Sequence, residues 1–93
     1  MEFSNPDFEQ NNAVFLENFD TDILLESLVL HLGLENVEYE PEQFPGVIYR
    51  PPEIGTVNLI FSSGKTIISG TIEEEVAKQS SEHLRKHLSN LST

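Results

Sequence analysis

Twelve residues in the middle of the chain read Tyr39-Glu40-Pro41-Glu42-Gln43-Phe44-Pro45-Gly46-Val47-Ile48-Tyr49-Arg50. An acidic segment runs into Phe44, a Pro-Gly pair breaks the pattern, and an apolar segment follows until two prolines stop it. Strand-forming residues on both sides of such a break predict two strands joined by a turn. The order of acidic, aromatic and apolar residues favours a recognition surface over an interior.

Upstream of this turn, the sequence predicts a strand and a helix. Residues 13–18 are short and apolar enough for a strand, and Asp20, Thr21 and Asp22 offer oxygens suited to a helix N-cap. Leucine and valine then recur at three- and four-residue spacing between 24 and 32. This spacing predicts an amphipathic helix that ends at Gly33.

Downstream, the sequence predicts the remaining strands and a second helix. Four strands are expected without an intervening helix, at residues 36–40, 46–50, 56–62 and 65–69, with Ser63-Gly64 as a hairpin turn. Thr71 to Glu74 matches a capping box, after which one helical side carries Ala77, Ser81, Leu84, Leu88 and Leu91. The predicted fold class is α+β, a five-stranded antiparallel sheet with two helices on one face.

Length and composition predict one small domain, residues 12–93, preceded by a flexible acidic tail, residues 1–11. The chain has no cysteine, no apolar run of membrane-spanning length and no secretory pattern after Met1. We therefore expect a soluble protein of the cytoplasm.

The negative charge is concentrated in the first half of the chain. The net charge is −11, and residues 1–43 carry the whole excess: they contain eleven acids and no lysine or arginine, whereas the acids and bases of residues 44–93 cancel. Two interpretations fit: a solvated face that keeps the domain soluble, or a docking surface for a basic protein partner. General electrostatic attraction to nucleic acid is excluded.

Alternation in the last two strands predicts a second, uncovered apolar face. Val57, Leu59 and Phe61 share one side of their strand, and Ile67 lies on the same side of the next one. A homodimer or the N-terminal tail would bury this face, or the face would bind a ligand. Apolar residues with small hydroxyls and few cations suit a DNA minor groove, which apolar wedges can open.

Other chemical motifs are weak. Gly64-Lys65-Thr66 imitates the end of a phosphate-binding loop, but the first glycine of that motif would fall at Leu59 within a strand. His83 and His87 share a helical face, where a solvated pair is commoner than a metal site, and His31 near a helix end is interpreted as structural. No nucleophile accompanies a base, so we expect no enzyme, no metal and no cofactor.

The sequence resembles the TATA-box-binding protein family. The resemblance rests on Tyr39 to Arg50, on Leu59-Ile60-Phe61-Ser62-Ser63-Gly64-Lys65 and on Ser69-Gly70, and it is greatest to the second repeat of archaeal members. It implies a half-saddle fold with the helices on the convex face. Members carry two tandem repeats and this chain has one, so the resemblance implies a homodimer whose first strands meet at a two-fold axis.

The resemblance also implies the site residues. Phe44 and Phe61 match the phenylalanines that wedge between base steps, Arg50 and Lys65 match phosphate contacts, and Glu40 and Glu42 match an acidic surface for a TFIIB-like initiation factor. The complete implied DNA-binding set is Asn12, Val14, Phe44, Pro45, Arg50, Val57, Leu59, Phe61, Lys65, Ile67 and Ser69.

The expected function is therefore that of a homodimeric general transcription initiation factor. It would bind and bend A/T-rich DNA through the minor groove, at the nucleoid of an archaeal or bacterial-type cell. Ile72 stands where the family usually has lysine, and the last helix is nearly neutral. These departures favour the alternative, a protein-interaction or regulatory module without DNA binding. A third possibility is that the chain is a piece of a longer protein.

Overall fold

The computed structural model describes residues 13–91, which form one sheet and two α-helices. The elements are β1 (Phe15–Asn18), α1 (Leu25–Leu32), β2 (Val37–Glu38), β3 (Gly46–Tyr49), β4 (Val57–Phe61), β5 (Lys65–Ser69) and α2 (Glu74–Leu91). A short 3-10 turn, Leu34–Asn36, connects α1 to β2. The predicted order of strand, helix, four strands and helix is confirmed.

The five strands form one antiparallel sheet in the order β1-β5-β4-β3-β2, so that β1 and β2 lie at its edges. The predicted Ser63-Gly64 turn joins β4 to β5, with the Gly64 amide donating to the carbonyl of Phe61 at 2.9 Å. Gly64 has a φ of +95°, and a Cβ there would lie 2.6 Å from the Thr21 carbonyl oxygen. Glycine is therefore required at this turn.

Both helices pack against one face of the sheet. Leu28 of α1 and Leu84 of α2 contact a core that includes Val47 of β3 and Ile60 of β4, and all four are buried. Strand residues that alternate with these point to the opposite face, which the helices leave open. The predicted arrangement of one covered face and one open face is confirmed.

Helix α1 begins later than the sequence predicts. Leu24 occupies the N-cap position in an extended conformation and provides no side-chain cap. The Ile23 amide instead donates to the Ser62 carbonyl at 2.8 Å, which holds the chain against the β4–β5 hairpin. The Asp20 amide donates to Oδ1 of Asn18 at 2.9 Å, so the polar residues form a turn and the predicted cap at 20–22 is wrong.

Two other boundaries differ from the prediction. Strand β2 is confined to Val37–Glu38 because the carbonyl of Glu40 already accepts hydrogen bonds from the Gln43 and Phe44 amides of the turn. The hydroxyl of Thr71 accepts from the Glu73 amide at 3.0 Å, which is one half of the predicted capping box. The reciprocal contact from Glu74 to Thr71 is absent from the described part of the chain.

Candidate nucleic-acid interface

A row of apolar side chains crosses four strands of the open face. The register places Ile48 opposite Leu59, and Leu59 opposite Ile67. On the other side of β5, Ile67 lies opposite Leu16 of β1. Leu16 is 77% exposed and Val14, just before it in the chain, is 58% exposed. The open face is therefore apolar across its width and extends to the free edge of β1.

Phe44 and Phe61 meet at one end of this face. Their ring centroids are 5.6 Å apart at an interplanar angle of 60°, and both side chains are half-buried. Gly46 lies opposite Phe61, and a Cβ at Gly46 would come within 3.1 Å of both rings and 2.9 Å of the Ile60 carbonyl oxygen. Glycine at this position therefore lets the two phenylalanines pack over β3.

Two cationic side chains border the open face: Arg50 forms an ion pair, and Lys65 forms none with the described residues. Nη1 of Arg50 lies 3.0 Å from a carboxylate oxygen of Glu38, and both side chains are largely exposed. Lys65 is exposed at the other end of the sheet and forms no ion pair with any residue between 13 and 91. Ser69 donates a long hydrogen bond, 3.4 Å, to the Val57 carbonyl.

The structure brings together most of the residues that the sequence analysis assigned to this site. Val57, Leu59, Phe61, Ile67 and Ser69 lie half-buried on the open face. Pro45 is exposed in the turn beside Phe44, and Glu40 and Glu42 are exposed earlier in the same turn. Asn12 lies outside the described residues.

Sequence reasoning missed two members of the apolar row, Leu16 and Ile48. The alternation that identified the faces of β4 and β5 also applies to them, since Leu16 follows Val14 by two residues and Ile48 lies between the buried Val47 and Tyr49. It also missed Glu38. The β2–β3 register places Glu38 opposite Ile48 and thus beside Arg50.

The predicted solvated pair of His83 and His87 is wrong. Both rings are partly buried and in edge contact, with centroids 4.6 Å apart. Burial, followed by the charge of Lys86, lowers the pKa of His83. Burial, followed by the neighbouring histidines, lowers the pKa of His87. These rings lie under the covered face of the sheet and take no part in the open face.

Comparison with known proteins identifies the fold. The five-stranded antiparallel sheet, with two helices on one face and an apolar open face, defines an α+β half-saddle class. The model of the family described as "Transcription factor TFIID (or TATA-binding protein, TBP)" matches residues 7–91. The chain therefore belongs to the TATA-binding protein family, as its motifs predicted, and this is a family of transcription factors rather than enzymes.

Several archaeal proteins show the similarity. TATA-box-binding protein C of Halobacterium salinarum is 43% identical over 84 residues, which are 90% of this chain and 46% of that protein. The TATA-box-binding protein of Methanothrix thermoacetophila is 43% identical over 86 residues, 92% of this chain and 47% of that protein. The structure of Methanococcus jannaschii TBP aligns with a TM-score of 0.72 at 39% identity and covers 80% of this chain and 43% of that one. The chain thus spans about half the length of these relatives.

None of the helices in residues 13–91 is long and apolar enough to cross a membrane.

Proposed function

We propose that this chain acts as a homodimeric transcription initiation factor that binds and bends A/T-rich DNA through the minor groove, with residues 12–93 as the DNA-binding repeat. The observation that carries the proposal is the contact between Phe44 and Phe61 at the end of an apolar row that crosses the open face. Such a role implies a nucleoid-associated location in the cytoplasm.

The composition of the open face fits a minor groove better than a major groove. Direct reading of the major groove depends on polar side chains that pair with base edges, and the row from Ile48 to Leu16 is apolar. A minor groove offers sugar edges and can be opened by apolar side chains inserted between base steps. The family resemblance assigns this wedge role to Phe44 and Phe61, and their position at one end of the face supports it.

A second copy of the chain is part of the proposal. The relatives are about twice as long as this chain, so two copies supply an equivalent length of sheet. Strand β1 is at an edge of the sheet, and Leu16 within it and Val14 just before it are exposed. An apolar edge strand is a template for pairing with another strand, and a two-fold axis there would join two open faces into one.

The turn before Phe44 supplies a surface for a second partner. Glu40 and Glu42 are exposed and stand next to the proposed wedge. A TFIIB-like factor with a basic surface could bind this turn while the open face contacts DNA. The concentration of acids before residue 44 gives this interaction a favourable charge.

The test is a bend-sensitive fluorescence titration of TATA-containing and G·C-rich duplexes over a series of salt concentrations. Because each chain carries a net charge of −11, we expect binding to depend on apolar contacts and to remain measurable at high salt. We expect bending of the TATA duplex and little of the G·C duplex. Equal responses to both duplexes at every salt concentration would refute the DNA-binding proposal.

Replacing Glu38 with glutamine is expected to strengthen DNA binding. The change releases Arg50 from its 3.0 Å ion pair and leaves the guanidinium available for a phosphate. The plot of log affinity against log salt concentration should then steepen by about 0.9 per chain, the contribution of one phosphate contact. Glu35→Gln is the matched control, because it removes the same charge from an exposed position in the 3-10 turn. An equal steepening in both variants would mean that Arg50 does not contact phosphate.

A second candidate function is a protein-interaction module that keeps the fold without binding DNA. The observation that favours it is the same ion pair, which already neutralises one of the cations bordering the open face. Under this hypothesis, the parent chain would show no DNA bending. The Phe61→Ala variant would still bind a TFIIB-like partner.

A further inference from the structure

The three histidines of the chain meet at one place between the two helices. His83 and His87 are one helical turn apart on α2, and His31 lies in the last turn of α1. The ring of His87 contacts His83 and His31 edge to face, with centroids 4.6 Å and 4.9 Å away. We call these three residues the histidine cluster.

The histidine cluster is also attached to the sheet. A hydrogen bond of 2.8 Å joins the Tyr49 hydroxyl to Nε2 of His83, and the two rings stack at an interplanar angle of 9°. Tyr49 belongs to β3 and is only 2% exposed. Nδ1 of His87 is buried and has no hydrogen-bond partner among the described residues. The cluster therefore connects α1, α2 and β3 through ring contacts, with His83 and His87 partly buried and His31 exposed.

The surroundings of His83 and His87 favour neutral rings. Lys86 faces His83 from α2, and His31 faces His87 from α1. From β3, the Tyr49 hydroxyl faces His83, and burial raises the pKa of Tyr49. Between residues 13 and 91, no carboxylate lies within ion-pair distance of any of the three rings. The pKa values of His83 and His87 are lowered, mainly by burial. A proton on either ring would meet a cation or another imidazole and no compensating acid.

Metal binding does not explain the cluster. In the part of the chain that the structure describes, no group of three or more His, Asp or Glu side chains is arranged to hold a metal ion. The Tyr49 contact also occupies the Nε2 atom of His83. We propose instead that the histidine cluster is an acid-sensitive latch, which fastens α2 to α1 and β3 when the rings of His83 and His87 are neutral and loosens when they are protonated.

The direction of the pH effect follows from linkage. Because His83 and His87 have lowered pKa values in the folded chain, the unfolded chain takes up their protons first as the pH falls. The stability they contribute is fully present above the ordinary histidine pKa of about 6.5 and is lost as the pH falls below it. The net charge of −11 acts in the opposite direction, since protonation reduces repulsion in the folded chain. A loss of stability in mild acid would thus report the latch.

An NMR titration of the imidazole signals of the full chain tests the latch directly. The chain has three histidines, so each signal can be assigned with single His→Gln variants. We expect His83 and His87 to titrate below about 6.5. Lys86→Gln removes the neighbouring cation from an exposed position and is expected to raise the midpoint of His83 alone. Midpoints at or above about 6.5 for both residues in the folded chain would overturn the proposal.

Thermal unfolding followed by circular dichroism gives a second measurement. We expect the Tm of the parent chain to fall by about 5 °C between pH 7.5 and pH 5.5. A variant with both His83→Gln and His87→Gln should lose most of this pH dependence, whatever its Tm at neutral pH. If that variant keeps the full acid-induced fall, the cluster is not the source of the effect and the latch is refuted.

Discussion

Phe61→Ala is expected to abolish bending of A/T-rich DNA and to weaken binding by about 100-fold or more. The Phe61 ring packs against Phe44 at the end of the apolar row, where the proposed wedge would enter the groove. Stacking of an aromatic side chain on a base contributes about 1–3 kcal/mol, and a dimer would lose the contribution twice. Because each 1.4 kcal/mol is a tenfold change in affinity, the loss should be readily measurable in the fluorescence titration.

The fold should survive this substitution, because Phe61 is half-buried on the open face and is not part of the core between the sheet and the helices. Leu30→Ala is the matched control: Leu30 is 74% exposed on α1, away from the open face. The control should bind and bend like the parent chain. Parent-like bending by Phe61→Ala would contradict the wedge role, and equal losses in both variants would indicate a general effect on the protein.

Local patterns predicted the covered and open faces of the sheet. In β4, the alternation from Val57 to Phe61 placed Asn58 and Ile60 on one side, and both are buried. The predicted apolar spacing in α1 included Leu25, Leu28 and Leu32, which are buried, but also Leu24, which lies at the N-cap and is 67% exposed. Such patterns succeed because burial on one side of an element leaves a period of two or about 3.6 in the sequence.

Features that depend on tertiary contacts could not be predicted in this way. The start of α1 is delayed by a hydrogen bond from Ile23 to Ser62, a residue far along the chain. His31 and His87 contact each other although they lie on different helices, and no local pattern pairs them. The ion pair between Arg50 and Glu38 depends on the β2–β3 register, and the sequence analysis placed Arg50 at the site without its partner.

Leu16→Pro is expected to raise the dissociation constant of the homodimer by about 30-fold or more. The Phe19 amide donates to the Gly64 carbonyl of the β4–β5 turn, at 3.0 Å. Phe19 and Gly64 therefore form a hydrogen-bonded pair. Bonded and non-bonded pairs alternate along an antiparallel ladder, so Leu16, three residues earlier, belongs to a non-bonded pair. The amide and carbonyl of Leu16 thus point away from β5 toward the free edge. Proline there removes a donor from the edge and leaves the β1–β5 ladder intact.

The size of the effect follows from the two-fold symmetry of the proposed dimer. Each chain loses one edge hydrogen bond of about 1 kcal/mol, so two bonds are lost per dimer, and the proline ring adds a steric obstacle. Sedimentation equilibrium measures the dissociation constant, and thermal unfolding of the dilute monomer checks that the variant folds.

Leu16→Ala is the matched control, because it removes the same exposed side chain but keeps the amide. If β1 pairs with its copy, the alanine variant should remain a dimer under conditions where the proline variant is a monomer. Both variants lose the Leu16 side chain from the apolar row, so a loss of DNA bending beyond that of the alanine variant reports the missing second chain, since one chain presents a single Phe44–Phe61 pair and half of the sheet. Equal self-association of the two variants would mean that the chain dimerises through another surface. DNA bending by a monomeric proline variant would mean that a single repeat is sufficient to bend DNA.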